Sequence, residues 1–150
     1  MSTNTSIART AAIGTGWWST VAHIPTLQKH PQAELVSIAD VRPDVLETVA
    51  KHYSITNTYT DFLDMISTEH LDGVTIAVWH AAHYEVAKAC LEKVLHMVLE
   101  KPMVLQATHA KELVEIATQN NLEIIMSYPC NFMPQTVRAR EVIRSGVLGE

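Results

Sequence analysis

A chain of 150 residues, 47% hydrophobic and 18% charged, has the make-up of one globular domain with an ample core and no space for a second full domain. Its formal charge of −5 excludes the basic field that nucleic acid or an anionic lipid surface selects, and no run of Lys and Arg relieves it. Nucleic acid and membrane are therefore not expected partners.

The polar start, Met1-Ser2-Thr3-Asn4-Thr5-Ser6, has neither the basic nor the apolar part of a secretion signal, and the longest apolar runs fall far short of a membrane span. The two cysteines, Cys90 and Cys130, lie far apart without C-x-x-C spacing. That usage suits a reducing cytoplasmic setting with both thiols buried and unreactive.

In chain order, the first predicted strand, 8–13, runs into Gly14-Thr15-Gly16-Trp17-Trp18-Ser19, a G-x-G-x-x-S turn ahead of a predicted helix over 18–29. Gly14 permits a tight turn out of the strand. Gly16, lacking a Cβ, lets the backbone approach a pyrophosphate seated on the helix N-terminus. Ser19 stands where a third glycine usually packs helix against strand. A second strand, 34–39, ends at Asp40, roughly 20 positions after Ser19, the distance at which an acidic residue reaches the adenosine ribose hydroxyls. Helix 43–52 follows, then a short polar strand, 56–59, and helix 61–67 with Asp61 as its N-cap.

Strands 73–78 and 95–99 are apolar on both faces, as central parallel strands covered by helices should be. Helix 81–93 separates them. Helix 107–120, with Thr108 at its start, leads to strand 122–127 and helix 134–145. The alternation defines an α/β fold: a doubly wound, Rossmann-type, mostly parallel sheet with helices on both faces and ligands at the carboxyl ends of its strands. Neither an H-E-x-x-H motif nor a Cys/His cluster is present, so no metal site is expected.

Two of those carboxyl ends carry further signals: Glu100-Lys101-Pro102 after the fifth strand and Trp79-His80-Ala81-Ala82-His83-Tyr84 after the fourth. With Gly14-Thr15-Gly16 and His23-Ile24-Pro25, they resemble the N-terminal half of the Gfo/Idh/MocA oxidoreductases, the family of glucose-fructose oxidoreductase and inositol dehydrogenase. The resemblance covers nearly the whole chain. The tail from Val142 to Glu150 is similar to the helix and turn through which that family passes into a second α/β domain, so the family's substrate domain is expected to lie outside this chain.

The resemblance implies a dinucleotide cofactor, NAD in preference to NADP, and a small polyol substrate for the full-length protein. Gly14, Thr15, Gly16, Trp17 and Trp18 match the pyrophosphate loop, although the tryptophans have an equal alternative in the core. Asp40 matches the ribose-binding acid of NAD-preferring members. Arg42 offers a guanidinium to a 2′-phosphate if Asp40 turns away. Ala77, Val78 and His83 are expected beside the cofactor after the fourth strand, whereas His80 reads as solvated. Lys101 matches the lysine beside nicotinamide and reacting hydroxyl, where a fixed positive charge favours developing alkoxide character. Pro102 restricts its backbone, and Glu100 orients a neighbouring group.

The chain departs from the family pattern at Trp79-His80, where a Pro-Asn pair is usual. Val94 replaces a turn glycine, and Asn131 an arginine. The implied activity is hydride transfer between nicotinamide and a sugar, cyclitol or related polyol, with the proton-accepting Asp and His pair in the second domain. The alternatives are a non-catalytic NAD-binding regulatory module and a structural domain that no longer binds nucleotide. Phe132, Met133, Val137 and Val142 are expected to form an exposed apolar patch that makes the chain a homo-oligomer.

Overall fold

The structure, a computed structural model, describes residues 6–149; Met1–Thr5 of the polar start and Glu150 at the tail lie outside the described residues. Six parallel strands form one sheet in the order β3-β2-β1-β4-β5-β6. They are β1 (Ala8–Ile13), β2 (Ala33–Ala39), β3 (Asn57–Tyr59), β4 (Gly73–Ile76), β5 (His96–Glu100) and β6 (Ile124–Ser127). The helices are α1 (Ile24–Lys29), α2 (Pro43–Tyr53), α3 (Phe62–Thr68), α4 (His83–Glu92), α5 (Ala107–Gln119) and α6 (Pro134–Arg144). The strand order reverses at β1, between β2 and β4. That leaves a crevice at the carboxyl edge of the sheet, where ligands bind in doubly wound folds.

Side-chain alternation along the strands assigns the two faces. Ala11, Ile13, Val74, Ile76, Met97 and Leu99 point to one side, where Met65 and Ile66 of α3, Val86 and Leu91 of α4 and Leu113 of α5 bury them. Ala12 and Ile38 point to the other, beneath Ile24 of α1 and Leu46 and Val49 of α2. The second layer ends early. Ile125 of β6 is 58% exposed, and α6 buries none of its residues.

The expected elements are all present, with local differences. The helix expected over 18–29 is divided, a π-helical turn at Ser19–His23 leading into α1. β4 stops at Ile76, although the Ala77 N–H still donates to the Ile13 carbonyl at 2.9 Å. β6 begins later than expected because Asn121 and Leu122 close α5: Asn121 has a φ of 55°, and the Leu122 N–H returns to the Ala117 carbonyl at 2.8 Å. Asp61 caps α3 as expected, accepting from the Leu63 N–H at 2.8 Å. At α5 the N-cap is Gln106 and makes no side-chain bond, while Thr108 lies inside the helix.

The turn at Val94 shows how the missing glycine is accommodated. The Leu95 N–H bonds the Cys90 carbonyl and the Val94 N–H bonds that of Leu91, both at 3.0 Å, the paired closure of a Schellman C-terminus. This closure requires a left-handed residue, and Val94 takes it at a φ of 60°. A β-branched side chain there is strained.

The expectation of two buried thiols holds for Cys90 only. Packing between α4 and the sheet pushes its thiol up to about 12, whereas Cys130 is exposed in a short turn after β6. Among the described residues, no helix is long and apolar enough to cross a membrane.

Candidate cofactor site

β1 delivers the chain to the carboxyl edge at Gly14, whose φ of 87° only glycine adopts at little cost. A Cβ there would also strike the Ala77 carbonyl oxygen, with the carbonyl carbon at 2.7 Å and Val78 Cγ1 at 3.1 Å. Gly14 is therefore fixed by the protein itself. Gly16 differs: a Cβ built on it meets no atom of the described residues beyond its chain neighbours within 4 Å. The first amides of the helix, those of Gly16, Trp17 and Trp18, find no acceptor among the described residues. An open cradle floored by orphan N–H donors is the feature that binds phosphate at a helix start.

Thr15, between the glycines, is buried and turned toward β2. Its N–H and its hydroxyl both donate to Asp40 Oδ2, at 2.8 and 2.9 Å. Arg42 closes on the same carboxylate: its backbone N–H and Nε reach Oδ1, each at 3.0 Å, and Nη2 reaches Oδ2 at 2.9 Å. Burial works to raise the Asp40 pKa, but the hydrogen bonds from Arg42 and Thr15 outweigh it and hold the carboxyl at about 2. Asp40 is thus ionised and keyed to the glycine loop. Arg42 does not stand apart from it as a free phosphate ligand; its guanidinium is paired with Asp40, on a side chain 46% exposed to solvent.

Trp17 is 75% exposed at the mouth of the loop, its ring centroid 5.7 Å from that of Trp18. Trp18 turns inward, and its Nε1–H donates to Glu100 Oε1 at 2.6 Å. Glu100 ends β5, is 8% exposed and also accepts from His23 Nε2 at 2.9 Å. Burial raises its pKa, yet hydrogen bonding by Ser127, His23 and Trp18 holds the carboxyl below its ordinary value.

Lys101 follows at the exposed edge, and its ammonium makes no hydrogen bond or ion pair among the described residues. The Lys101–Pro102 peptide is cis. Ala77 and Val78 line the turn facing Gly14 and are partly buried.

His83 takes a different place from the expected cofactor-lining one. It is fully buried, with Nδ1 2.7 Å from the Pro102 carbonyl oxygen and Nε2 3.2 Å from that of Val78. The histidine lies between the two strand-end turns, its shorter contact being the one to Pro102. His80 packs edge-on against it at 5.5 Å between centroids and is exposed, as is Trp79.

A classic-order parallel sheet, a glycine turn with unfilled space over its second glycine and a buried carboxylate at the end of β2 define a dinucleotide-binding Rossmann domain. The chain belongs to the Gfo/Idh/MocA oxidoreductases: the family's profile, described as oxidoreductase family, NAD-binding Rossmann fold, matches residues 8–128.

An uncharacterized oxidoreductase of Synechocystis sp. is 32% identical over 140 residues, covering 93% of this chain and 38% of that protein. The NADP-dependent D-xylose 1-dehydrogenase of Haloarcula marismortui is 26% identical over 145 residues, covering 95% of this chain and 40% of that one. Among solved structures, scyllo-inositol dehydrogenase from Lactobacillus casei with bound NAD(H) and scyllo-inositol superposes with a TM-score of 0.88 at 21% identity, covering 97% of this chain and 43% of that chain. That likeness speaks for the fold. The chain spans about two-fifths of the length of these curated relatives.

Proposed function

We propose that this chain is the nucleotide-binding part of an NAD(P)-dependent dehydrogenase acting on a sugar, cyclitol or related polyol. One observation carries the reading: the open cradle at Gly16, the ionised Asp40 and the unpaired Lys101 lie at the carboxyl ends of β1, β2 and β5, along one edge of one sheet. In this reading the amides of Gly16 and Trp17 bind pyrophosphate, Asp40 takes the adenosine ribose hydroxyls, and Ala77 and Val78 back the dinucleotide. Bound nicotinamide supplies the carbon that exchanges hydride with substrate. Lys101 holds a positive charge beside the reacting hydroxyl and favours its alkoxide form, which lowers the barrier to hydride loss. The named substrates of the relatives, D-xylose and scyllo-inositol, support the polyol class.

Asp40 already receives five donor contacts from Thr15 and Arg42. A carboxylate offers roughly four lone-pair sites, so ribose hydroxyls enter only by displacing the more exposed partner, Arg42. We read Arg42 as an exchangeable cap, and the cofactor as NAD. Calorimetric titration with NADH and with NADPH tests this. Tighter NADH binding is the expected result. Tighter NADPH binding would mean that Arg42 leaves Asp40 for a 2′-phosphate, and binding of neither would overturn the proposal.

A further inference from the structure

Trp18 and His23 are five residues apart, and both donate to one oxygen of Glu100. In a regular α-helix of 3.6 residues per turn, residues five apart point about 140° away from each other. Here the segment between them, Ser19–His23, is a π-helical turn, whose i→i+5 closure stacks residues of that spacing. The π-turn therefore puts the indole and the imidazole on one side of the helix, where they meet a buried carboxylate at the end of β5. An ionised carboxylate only accepts, so His23 Nε2 is a protonated ring nitrogen.

Glu100 alternates with Leu99, so its side chain reaches the α1 face of the sheet while Leu99 packs on the α4 and α5 face. On that second face His83 of α4 lies 2.7 Å from the Pro102 carbonyl. The residues on either side of Lys101 are thus held from opposite faces of the sheet, each by a histidine.

We propose that Trp18, His23, Glu100 and His83 are positioning residues that form a two-sided clamp, fixing the Lys101 backbone so that its ammonium is aimed at the cofactor's reactive end. The clamp rests on the assignment of Lys101 to the nicotinamide under Proposed function. It also gives the π-turn a physical reason, since relaxing Ser19–His23 to an α-helix would withdraw one of the two donors from Glu100.

The test is acetylation of the full chain by acetic anhydride with and without saturating NADH, saturation being set by titration for each variant and Lys101 labelling read by peptide mass spectrometry. Lys111, exposed on α5, serves as internal reference. NADH slows Lys101 labelling in the wild type by about tenfold, the equivalent of one charge-assisted contact. Glu100→Ala and His83→Ala lose most of that protection while Lys111 is unchanged. Glu100→Gln keeps it, because Trp18 and His23 share a single oxygen that the amide retains. Trp18→Phe and His23→Leu each remove one hydrogen bond while keeping an apolar side chain in its place and lose part of it, which covers the case in which the alanine variants fail to fold.

Full protection in folded Glu100→Ala and in Trp18→Phe and His23→Leu would overturn the clamp and leave the Lys101 assignment standing. Wild-type Lys101 that NADH does not protect, in protein that binds NADH, would overturn the Lys101 assignment and the clamp with it.

Discussion

The two glycines of the nucleotide loop have different reasons to be glycine, and replacing each by alanine separates them. At Gly14 the methyl meets the Ala77 carbonyl at a φ of 87°, so a left-handed penalty of ~1–2 kcal/mol adds to an overpacking cost of ~1–3 kcal/mol. Gly14→Ala should destabilise the domain by about 2–5 kcal/mol. At Gly16 an added Cβ meets no atom of the described residues beyond its chain neighbours within 4 Å, and the backbone is outside the left-handed range. Gly16→Ala should therefore stabilise slightly, by about 0.4–1 kcal/mol, through lost freedom of the unfolded chain.

The methyl at position 16 nevertheless occupies the cradle where a pyrophosphate would approach the orphan amides. Loss of one charge-assisted hydrogen bond, ~1.5–3 kcal/mol, weakens NADH binding by about tenfold or more. Stability is read from guanidinium unfolding by circular dichroism, and binding from energy transfer between tryptophan and reduced nicotinamide. Gly16→Ala protein that is as stable as wild type and binds NADH equally well would refute the assignment of that space to the pyrophosphate.

Other predictions follow from the same geometry. Val94 is 59% exposed and strained, so Val94→Asn, which tolerates the left-handed region, should raise stability by about 1 kcal/mol and the melting temperature by about 2–4 °C; a lower melting temperature would show that the turn is not strained. Asp40 has a folded pKa of about 2 against an ordinary 3.8, so its contribution is present above pH 3.8 and is lost as the pH falls towards 2. Wild type should therefore lose up to about 2 kcal/mol relative to Asp40→Asn over that interval, the solvent-facing Arg42 partner keeping the figure from being larger; parallel acid profiles would contradict it. Phe132, 83% exposed, lies near Met133 and Val137, both about 40% exposed, whereas Val142 is half-buried. Sedimentation of the chain should show concentration-dependent association that Phe132→Glu reduces, and a monomer at all concentrations would contradict the prediction.

Local sequence rules made the framework legible, because its signals are local. Apolar runs mark the strands, and Gly14, Gly16 and Asp40 act through fixed spacings along one β-α-β unit. Asp61 could be read as a cap because its partner is two residues away. What stayed hidden depends on groups brought together by the sheet. The Glu100 carboxylate meets Trp18 and His23 from 82 and 77 positions away, through a π-turn whose i, i+5 relation has no place in a helical pattern of i, i+3 and i+4. His83 stands in a sequence context suited to lining a pocket, yet the carbonyls of Val78 and Pro102 draw it wholly inside. Thr108 has the chemistry of a cap, but α5 starts one residue ahead of it. Arg42 reads from the sequence toward a 2′-phosphate, and only the closed carboxylate shows that it rests on Asp40 in this structure.

The central claim, that a dinucleotide lies across the carboxyl edge between Gly16 and Lys101, is tested most directly by amide-resolved NMR during titration with NADH. The account predicts saturable shifts at Thr15, Gly16, Trp17 and Asp40, with Ala77, Val78 and Lys101 following, and none at Leu113 inside α5. Shifts confined to the shallow groove between α2 and β3, around Leu46, Lys51 and Thr58, would contradict it.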